Sequence, residues 1–216
     1  MNPYMALNGT PLGLASSKCF ILERTIDCSK VLSGTVAVDY PSEASRYLIF
    51  GRSTNVDQLA CLAYVIDGKV QWSHIGQYES GYVFNYKLYV YREIKDTDKV
   101  SGTYGLNIYN DNGSLFYSSD KLPLKIKGLR YFSDADIGNL FPPIKTYTDP
   151  NCMVLLNTLA TSKGDFLRMV YTPSINAYGT LSKSQFFPSH AGGDKDIVFN
   201  NYVVVAYAPD LYPRHS

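Results

Sequence analysis

Charged side chains are scarce in this sequence. Only 18% of its 216 residues are Asp, Glu, Lys or Arg, and their formal charges nearly cancel to +1. A surface with so little net charge offers no electrostatic attraction to nucleic-acid phosphates or to anionic lipid, so nucleic-acid binding is not expected. Weak charge also means weak repulsion between copies, which suits a subunit of a larger assembly.

Long apolar runs and sorting signals are missing as well. No stretch approaches the roughly 18 apolar residues that a membrane helix needs, and residues 1–17 lack the charged and apolar regions of a secretory signal. The cysteines form no C-x-x-C pair and have no histidine at a ligand-like spacing, which excludes the usual zinc motifs. We therefore expect reduced thiols, synthesis in the cytoplasm and no membrane insertion.

Residues typical of catalysis are few. The sequence contains no nucleophile elbow, phosphate-binding loop or dinucleotide fingerprint. His74 lies in a predicted strand and His190 in a predicted loop, and neither has an identifiable nucleophile as partner. Asp134 and Asp136 lack the further acceptors of a calcium loop. We predict no catalytic, cofactor-binding or metal-binding residues and no enzyme activity, and leave open a ligand role for His190 or for the Asp134–Asp136 pair.

Aromatic residues are abundant by contrast, with 19 Tyr and 10 Phe but one Trp. Tyrosine favours strands, because its ring covers a pleated face while its hydroxyl stays in water, and it is also enriched at protein interfaces. The composition therefore predicts a β-protein that uses tyrosines for contact.

Apolar residues alternate with period two along much of the chain, and no helical period persists for three turns. Residues 82–93 predict a long strand with one buried and one amphipathic face. Pro123 places the strand 122–129 at a sheet edge, and residues 182–194 are typical of a long loop. We predict an all-β, antiparallel, β-sandwich-like fold.

Two hairpins have strong local signals. Asp67-Gly68 stands between two apolar runs, which is the turn dipeptide typical of a two-residue hairpin. Residues 110–113 (Asn-Asp-Asn-Gly) separate the apolar segments 104–109 and 115–117, and Asn, Asp and Gly all tolerate a positive φ. Both turns therefore predict antiparallel strand pairs.

Composition also predicts a division of the chain into parts. Residues 1–17, rich in Pro, Gly, Asn and Ser, are interpreted as an extended arm. Residues 18–130 are predicted to form an N-terminal β-sandwich-like domain, 131–150 a linker loop and 151–216 a C-terminal β unit.

The second hairpin resembles a segment of known proteins. Its pattern, Y-G-L-x-[VI]-[FY]-N-x-x-G-x-L-x-[FY]-[DS]-S, is similar to a hairpin in small tail-associated proteins of bacteriophages with long non-contractile tails. In those proteins the segment commonly opens the chain, whereas here residues 1–101 precede it, which implies an added N-terminal β domain or an unrelated protein. The matching positions are Tyr104, Gly105, Leu106, Ile108, Tyr109, Asn110, Gly113, Leu115, Tyr117 and Ser118.

The resemblance implies a structural protein of a phage virion without catalytic residues. We expect a tail-tip, baseplate or other tail-associated subunit that contacts other virion proteins and forms a symmetric ring of three or six copies. The aromatic side chains expected to form interfaces are Tyr82, Tyr86, Tyr89, Tyr91, Tyr104, Tyr109, Tyr117 and Trp72.

Other functions stay open at this point. The chain could be a capsid decoration or collar protein. It could instead recognise a host receptor or glycan through the tyrosine-rich segments 73–82 and 180–194, with Trp72 and tyrosine rings stacking on sugars. A β-fold hydrolase of cell-wall sugars, using chain-distant carboxylates, is the third alternative.

Overall fold

The computed structural model describes residues 6–7, 10–11, 19–29, 31–55, 60–75, 85–100, 104–132, 146–147, 149–156, 160–163, 168–189, 197–199 and 202–211. This part of the chain contains strands and two short 3-10 helices, η1 (Pro41–Arg46) and η2 (Asp96–Asp98), and no α-helix. The strands are β1 (Ala6–Leu7), β2 (Thr10–Pro11), β3 (Phe20–Asp27), β4 (Ser33–Ala37), β5 (Tyr47–Ser53), β6 (Ala60–Ile66), β7 (Lys69–Ile75), β8 (Tyr86–Glu93), β9 (Asn107–Tyr109), β10 (Leu115–Ser118), β11 (Ile126–Tyr131), β12 (Thr146–Tyr147), β13 (Cys152–Leu155), β14 (Ala160–Lys163), β15 (Arg168–Ile175), β16 (Thr180–Ser189), β17 (Ile197–Phe199) and β18 (Tyr202–Tyr207).

The strands form several antiparallel sheets, and the predicted all-β fold is confirmed. The largest has six strands in the order β11-β18-β13-β5-β8-β3. A five-stranded sheet has the order β12-β16-β15-β14-β17, and a three-stranded sheet has the order β4-β7-β6. The pairs β1-β2 and β9-β10 stand as separate two-stranded ladders.

Both predicted hairpins are present. β6 and β7 pair from Ile66↔Lys69 outward, and the turn residues Asp67 and Gly68 have φ of 49° and 70°, as a two-residue turn with two positive φ angles requires. β9 and β10 pair antiparallel around the Asn-rich turn. Short-range turn chemistry decides both elements.

Two hydrophobic cores cover one face of the six-stranded sheet. The first joins it to the three-stranded sheet and includes Ile49, Leu88 and Trp72. The second joins it to the five-stranded sheet, through residues such as Val154 and Ile175. Val154 is the register partner of Gly51, which shares a face with Ile49 by alternation, so both cores lie on the same side.

The opposite face of the six-stranded sheet also carries buried side chains. Phe50 and Tyr91 pack edge to face, with ring centroids 5.8 Å apart. Tyr89 is buried on this face as well. The expectation that the long strand has one buried and one amphipathic side is therefore corrected: β8 lies inside the sheet and is covered on both faces.

The chain divides into two compact units. One consists of Met1–Leu22 and Arg92–Leu124, and the other of Glu23–Tyr91 and Lys125–Ser216. The division falls within β3 and β8. The first unit contains the β9-β10 hairpin and a small core of Ile21, Ile94 and Leu115.

This division differs from the predicted one. The domains 18–130 and 151–216, separated by a linker at 131–150, do not describe the sheet, because β13 and β18 pair within the same sheet as β5. Composition marks where a loop lies, but strand pairing joins segments distant in sequence. Two described parts of the predicted linker belong to strands: Tyr131 is the last residue of β11, and Thr146–Tyr147 form β12.

Two further predictions concern irregular segments. The loop expected at 182–194 is a strand as far as Ser189, because β16 pairs with β15 along its length. Of the arm 1–17, the described residues Ala6–Leu7 and Thr10–Pro11 pair with each other, and the remainder lies outside the described residues.

Candidate functional site

Four of the predicted interface side chains lie inside the protein. Tyr86, Tyr89 and Tyr91 are buried on β8, and Trp72 of β7 is buried in the first core. The prediction that these four form a contact surface is corrected, because their buried side chains leave little area for a partner to contact. Tyr82 lies outside the described residues.

The β9-β10 hairpin does present apolar side chains to solvent. Tyr104 is 90% exposed, and Leu106 and Tyr109 are also exposed, whereas Tyr117 is half-buried. We name Tyr104, Leu106 and Tyr109 the hairpin surface. Three of the predicted interface residues thus belong to this hairpin, and two of them are exposed.

Hydrogen bonds hold the hairpin in one conformation. At its tip, the backbone N–H of Asn110 donates to the carbonyl of Ser114 at 2.8 Å, and that of Gly113 donates to the carbonyl of Asn110 at 2.9 Å. At its base, Gly105 has φ of 146°, and a Cβ there would come within 2.6 Å of Val100 Cγ1. Glycine is therefore required at this position of the resemblance motif.

A second exposed apolar surface lies at the edge of the six-stranded sheet. Its side chains are Ile126, Leu129 and Tyr131 of β11 and Tyr202 of β18, and we name these four the edge surface. Tyr131 is 62% exposed, and its ring centroid is 5.4 Å from that of Tyr202, its register partner. β11 is the terminal strand of the sheet. Pro123 precedes this strand and forms a bridge with Ile21 of β3, so the edge position predicted for residues 122–129 is not explained by the proline.

The sequence did not single out the edge surface as a contact site. The sequence of these strands shows only the alternation of apolar and polar residues. Alternation does not say whether the outer side of a strand meets water or protein. The outcome depends on β18, which buries Val203 and Val205 in the second core and leaves Tyr202 on the other side.

A polar pocket of about 400 Å³ opens on the face of the six-stranded sheet that carries Arg52 and Tyr89. We name it the sheet pocket. It brings together chain-distant segments, and sequence reasoning missed it for that reason. Its lining residues are Asp27, Ser29, Arg52, Thr54, Lys87, Tyr89, Pro150, Asn151, Ala177, Asp210 and Leu211.

Asp210 is held by two donors in this pocket. Lys87 Nζ lies 2.7 Å from Oδ2, and the Tyr89 hydroxyl donates to Oδ1 at 2.8 Å. Burial opposes the charged carboxylate, but these hydrogen bonds outweigh it, so the pKa of Asp210 lies below its ordinary value. Burial, together with the bond to Asp210, raises the pKa of Tyr89, whose hydroxyl therefore stays protonated.

Arg52 is the buried cation of the pocket. It is 3% exposed. Its Nη1 donates to the carbonyl oxygens of Pro150 at 2.8 Å and Cys152 at 3.3 Å, whereas its Nε has no partner among the described residues. Burial lowers the pKa of Arg52 from its ordinary value, yet arginine stays charged near neutrality. Its charge is thus met by carbonyl dipoles rather than by a described carboxylate in ion-pair contact.

Of the remaining site candidates, one is buried in a structural contact and three lie outside the described residues. His74 is buried, and its Nε2 is 3.2 Å from the carbonyl oxygen of Cys28. His190, Asp134 and Asp136 lie outside the described residues. Within the described residues, no three His, Cys, Asp or Glu side chains come together as metal ligands, and no helix is long and apolar enough to span a membrane.

Of the segments considered for glycan contact, the described parts belong to strands β7 and β16.

No protein family, no curated protein and no solved structure matches this chain.

Proposed function

We propose that the chain is a non-enzymatic structural component of a bacteriophage virion, a tail-tip, baseplate or other tail-associated subunit that acts through protein–protein contacts. The edge surface is the observation that carries the contact role. The phage context rests on the resemblance of the hairpin Tyr104–Ser119, whose exposed face is the hairpin surface.

The partner of the edge surface is a second copy of this chain. An edge strand offers unpaired backbone groups together with its side chains, and both can be shared with another sheet edge. Because the net charge of the chain is only +1, electrostatic repulsion between copies is weak. Exposed Leu129, Tyr131 and Tyr202 supply apolar and aromatic area of the kind enriched at interface centres. We expect closed rings of three or six copies.

Mass photometry and sedimentation velocity of the purified chain test this role. We expect the wild type to form rings, and Tyr131→Lys to raise the dissociation constant at least about tenfold, since a charge replaces an exposed aromatic ring that the contact between copies would bury. Tyr178→Lys is the matched control, because Tyr178 is equally exposed (65%) but lies in a turn away from the edge surface. A wild-type chain that stays monomeric at high micromolar concentration contradicts self-assembly.

The phage context has its own test. Genes for tail proteins on both sides of this gene would support it, and metabolic neighbours would contradict it. Turnover of purified cell-wall material by the chain, lost in Asp or Glu alanine variants, would contradict the non-enzymatic role.

A further inference from the structure

The hairpin surface and the edge surface lie on different units of the chain. The hairpin surface belongs to the unit that contains Arg92–Leu124, and the edge surface to the unit that contains Lys125–Ser216. A cyclic ring needs two such patches, because each subunit contacts its two neighbours through different surfaces, whereas a single patch that meets itself closes a dimer. Ring assembly therefore requires an occupant for the edge surface other than a second edge surface.

The hairpin carries negative charge only. Residues 104–120 contain Asp111 and Asp120 but neither Lys nor Arg. Both carboxylates are exposed, and neither forms an ion pair with another described residue. Asp111 lies at the tip of the hairpin, next to Asn110 and two positions beyond the exposed Tyr109. The hairpin surface is thus an apolar patch with a carboxylate beside it.

The edge strand carries the opposite charge. Residues 125–131 contain three cations, Lys125, Lys127 and Arg130, and neither Asp nor Glu. Lys127 is paired with Asp149 at 3.1 Å, whereas the exposed Arg130 forms no ion pair with a described residue. Two copies of this strand brought together would set like charges against each other, whereas the hairpin would meet it with opposite charges. Charge therefore favours the hairpin over a second edge strand as the occupant.

Backbone groups point to the same pairing. Among the described strands, β11 pairs with β18 alone and β9 with β10 alone, so each has a side without a neighbouring strand. A strand added along β11 reaches the side chains on both of its faces, Leu129 and Tyr131 on one and Arg130 on the other. The hydrogen bonds at the hairpin tip hold the hairpin in one conformation, so docking orders little additional chain.

We propose that the hairpin surface of one copy docks on the edge surface of the next copy, with β9 beside β11 and Asp111 facing Arg130. The inference rests on the proposed self-assembly and names the part of the second copy that the edge surface binds. The apolar side chains of the two surfaces cover one another in this contact. Each subunit gives one hairpin and receives one, which is the head-to-tail arrangement that can close a ring.

Mixing two variants of the full chain tests the inference, with mass photometry and sedimentation velocity as readouts. Tyr109→Lys impairs the hairpin surface and leaves the edge surface intact, and Tyr131→Lys does the reverse. We expect each variant alone to be monomeric at a concentration at which the wild type forms rings. The equimolar mixture should form a one-to-one dimer, because it contains one intact hairpin–edge contact.

The outcomes separate this inference from self-assembly as such. If an edge surface binds a second edge surface, Tyr109→Lys alone assembles like the wild type, which overturns the inference and leaves self-assembly in place. A mixture that stays monomeric also overturns the inference. A wild-type chain that stays monomeric contradicts self-assembly itself. Both tyrosines are exposed, and far-ultraviolet circular dichroism checks that each variant is folded.

A charge exchange tests the facing pair. Asp111→Arg and Arg130→Asp should each raise the dissociation constant at least about fivefold, because each sets like charges against each other, and the double variant should recover most of the wild-type affinity. Asp27→Arg is the control, since Asp27 is also exposed but belongs to β3, at the opposite end of the six-stranded sheet from β11. Losses that add in the double variant overturn the pairing of Asp111 with Arg130.

Discussion

Gly34 and Trp72 form a cross-strand pair whose packing makes a quantitative prediction possible. They are register partners between β4 and β7. A Cβ at position 34 would lie closest to Trp72 Cζ2, and 2.5 Å from Cη2 and 2.9 Å from Cε2. Ordinary carbon contacts are about 3.5–4.0 Å, so the ring would have to move by more than about 1 Å. Gly34 therefore provides the space in which the indole lies.

The indole has little freedom to make that movement. Trp72 is 8% exposed and packs in the first core with Val70 and Leu88. Inserting one methyl group into such a core costs about 1–3 kcal/mol. For a chain of this size, that corresponds to a melting temperature lower by about 2–12 °C. We expect Gly34→Ala to show this loss.

The assay follows from the composition, because Trp72 is the chain's single tryptophan. Thermal and urea unfolding followed by tryptophan fluorescence report directly on this core. Native Gly34→Ala should also show a shifted emission maximum, since the ring is displaced.

Gly128→Ala is the matched control. Gly128 also lies in a strand, β11, and nothing comes within 4 Å of a Cβ placed there. Glycine in a strand costs about 0.5–1 kcal/mol relative to alanine, so this variant should be neutral or slightly more stable. Equal stability of Gly34→Ala and Gly128→Ala would refute the packing argument, and so would an unchanged emission spectrum in Gly34→Ala.

Two further predictions concern charged groups. Asp98→Asn should lower the free energy of unfolding of its unit by about 3 kcal/mol, measured in urea. Asp98 is buried, and its two carboxylate oxygens accept hydrogen bonds of 2.7 and 2.8 Å from the Arg92 guanidinium. A loss of under about 1 kcal/mol would count against a structural ion pair. The pKa of Asp210 is lowered in the folded state, so its pairing with Lys87 and Tyr89 stabilises the protein above the unfolded-state pKa, and that contribution disappears as the pH falls through the lowered folded value. Melting temperatures measured from about pH 6 to about pH 3 should therefore fall less steeply in Asp210→Asn than in the wild type, and parallel curves would contradict this assignment.

Local sequence was sufficient for some elements of this fold. The turn at Asp67-Gly68 and the Asn-rich turn before Gly113 use residues that tolerate a positive φ, so each hairpin forms from a few neighbouring residues. Both turns depend on backbone chemistry within one short segment.

The fate of each tyrosine was not determined in this way. Tyr91 and Tyr131 both stand in alternating strands, yet one is buried and the other exposed. The difference arises because β8 lies inside the six-stranded sheet and β11 at its end. Alternation gives the side of a strand to which a residue belongs, whereas its burial depends on what packs against that side.

The sequence by itself determined an all-β chain with low net charge, many tyrosines and two well-defined hairpins, because these follow from composition and from turns a few residues long. Only the tertiary structure decided which tyrosines face water, that β5 and β13 share one sheet, and that Arg52, Asp27 and Asp210 meet at one pocket. The physical reason is the same in each case. Pairing between strands distant in sequence depends on the packing of the whole sheet, and no short segment contains that information.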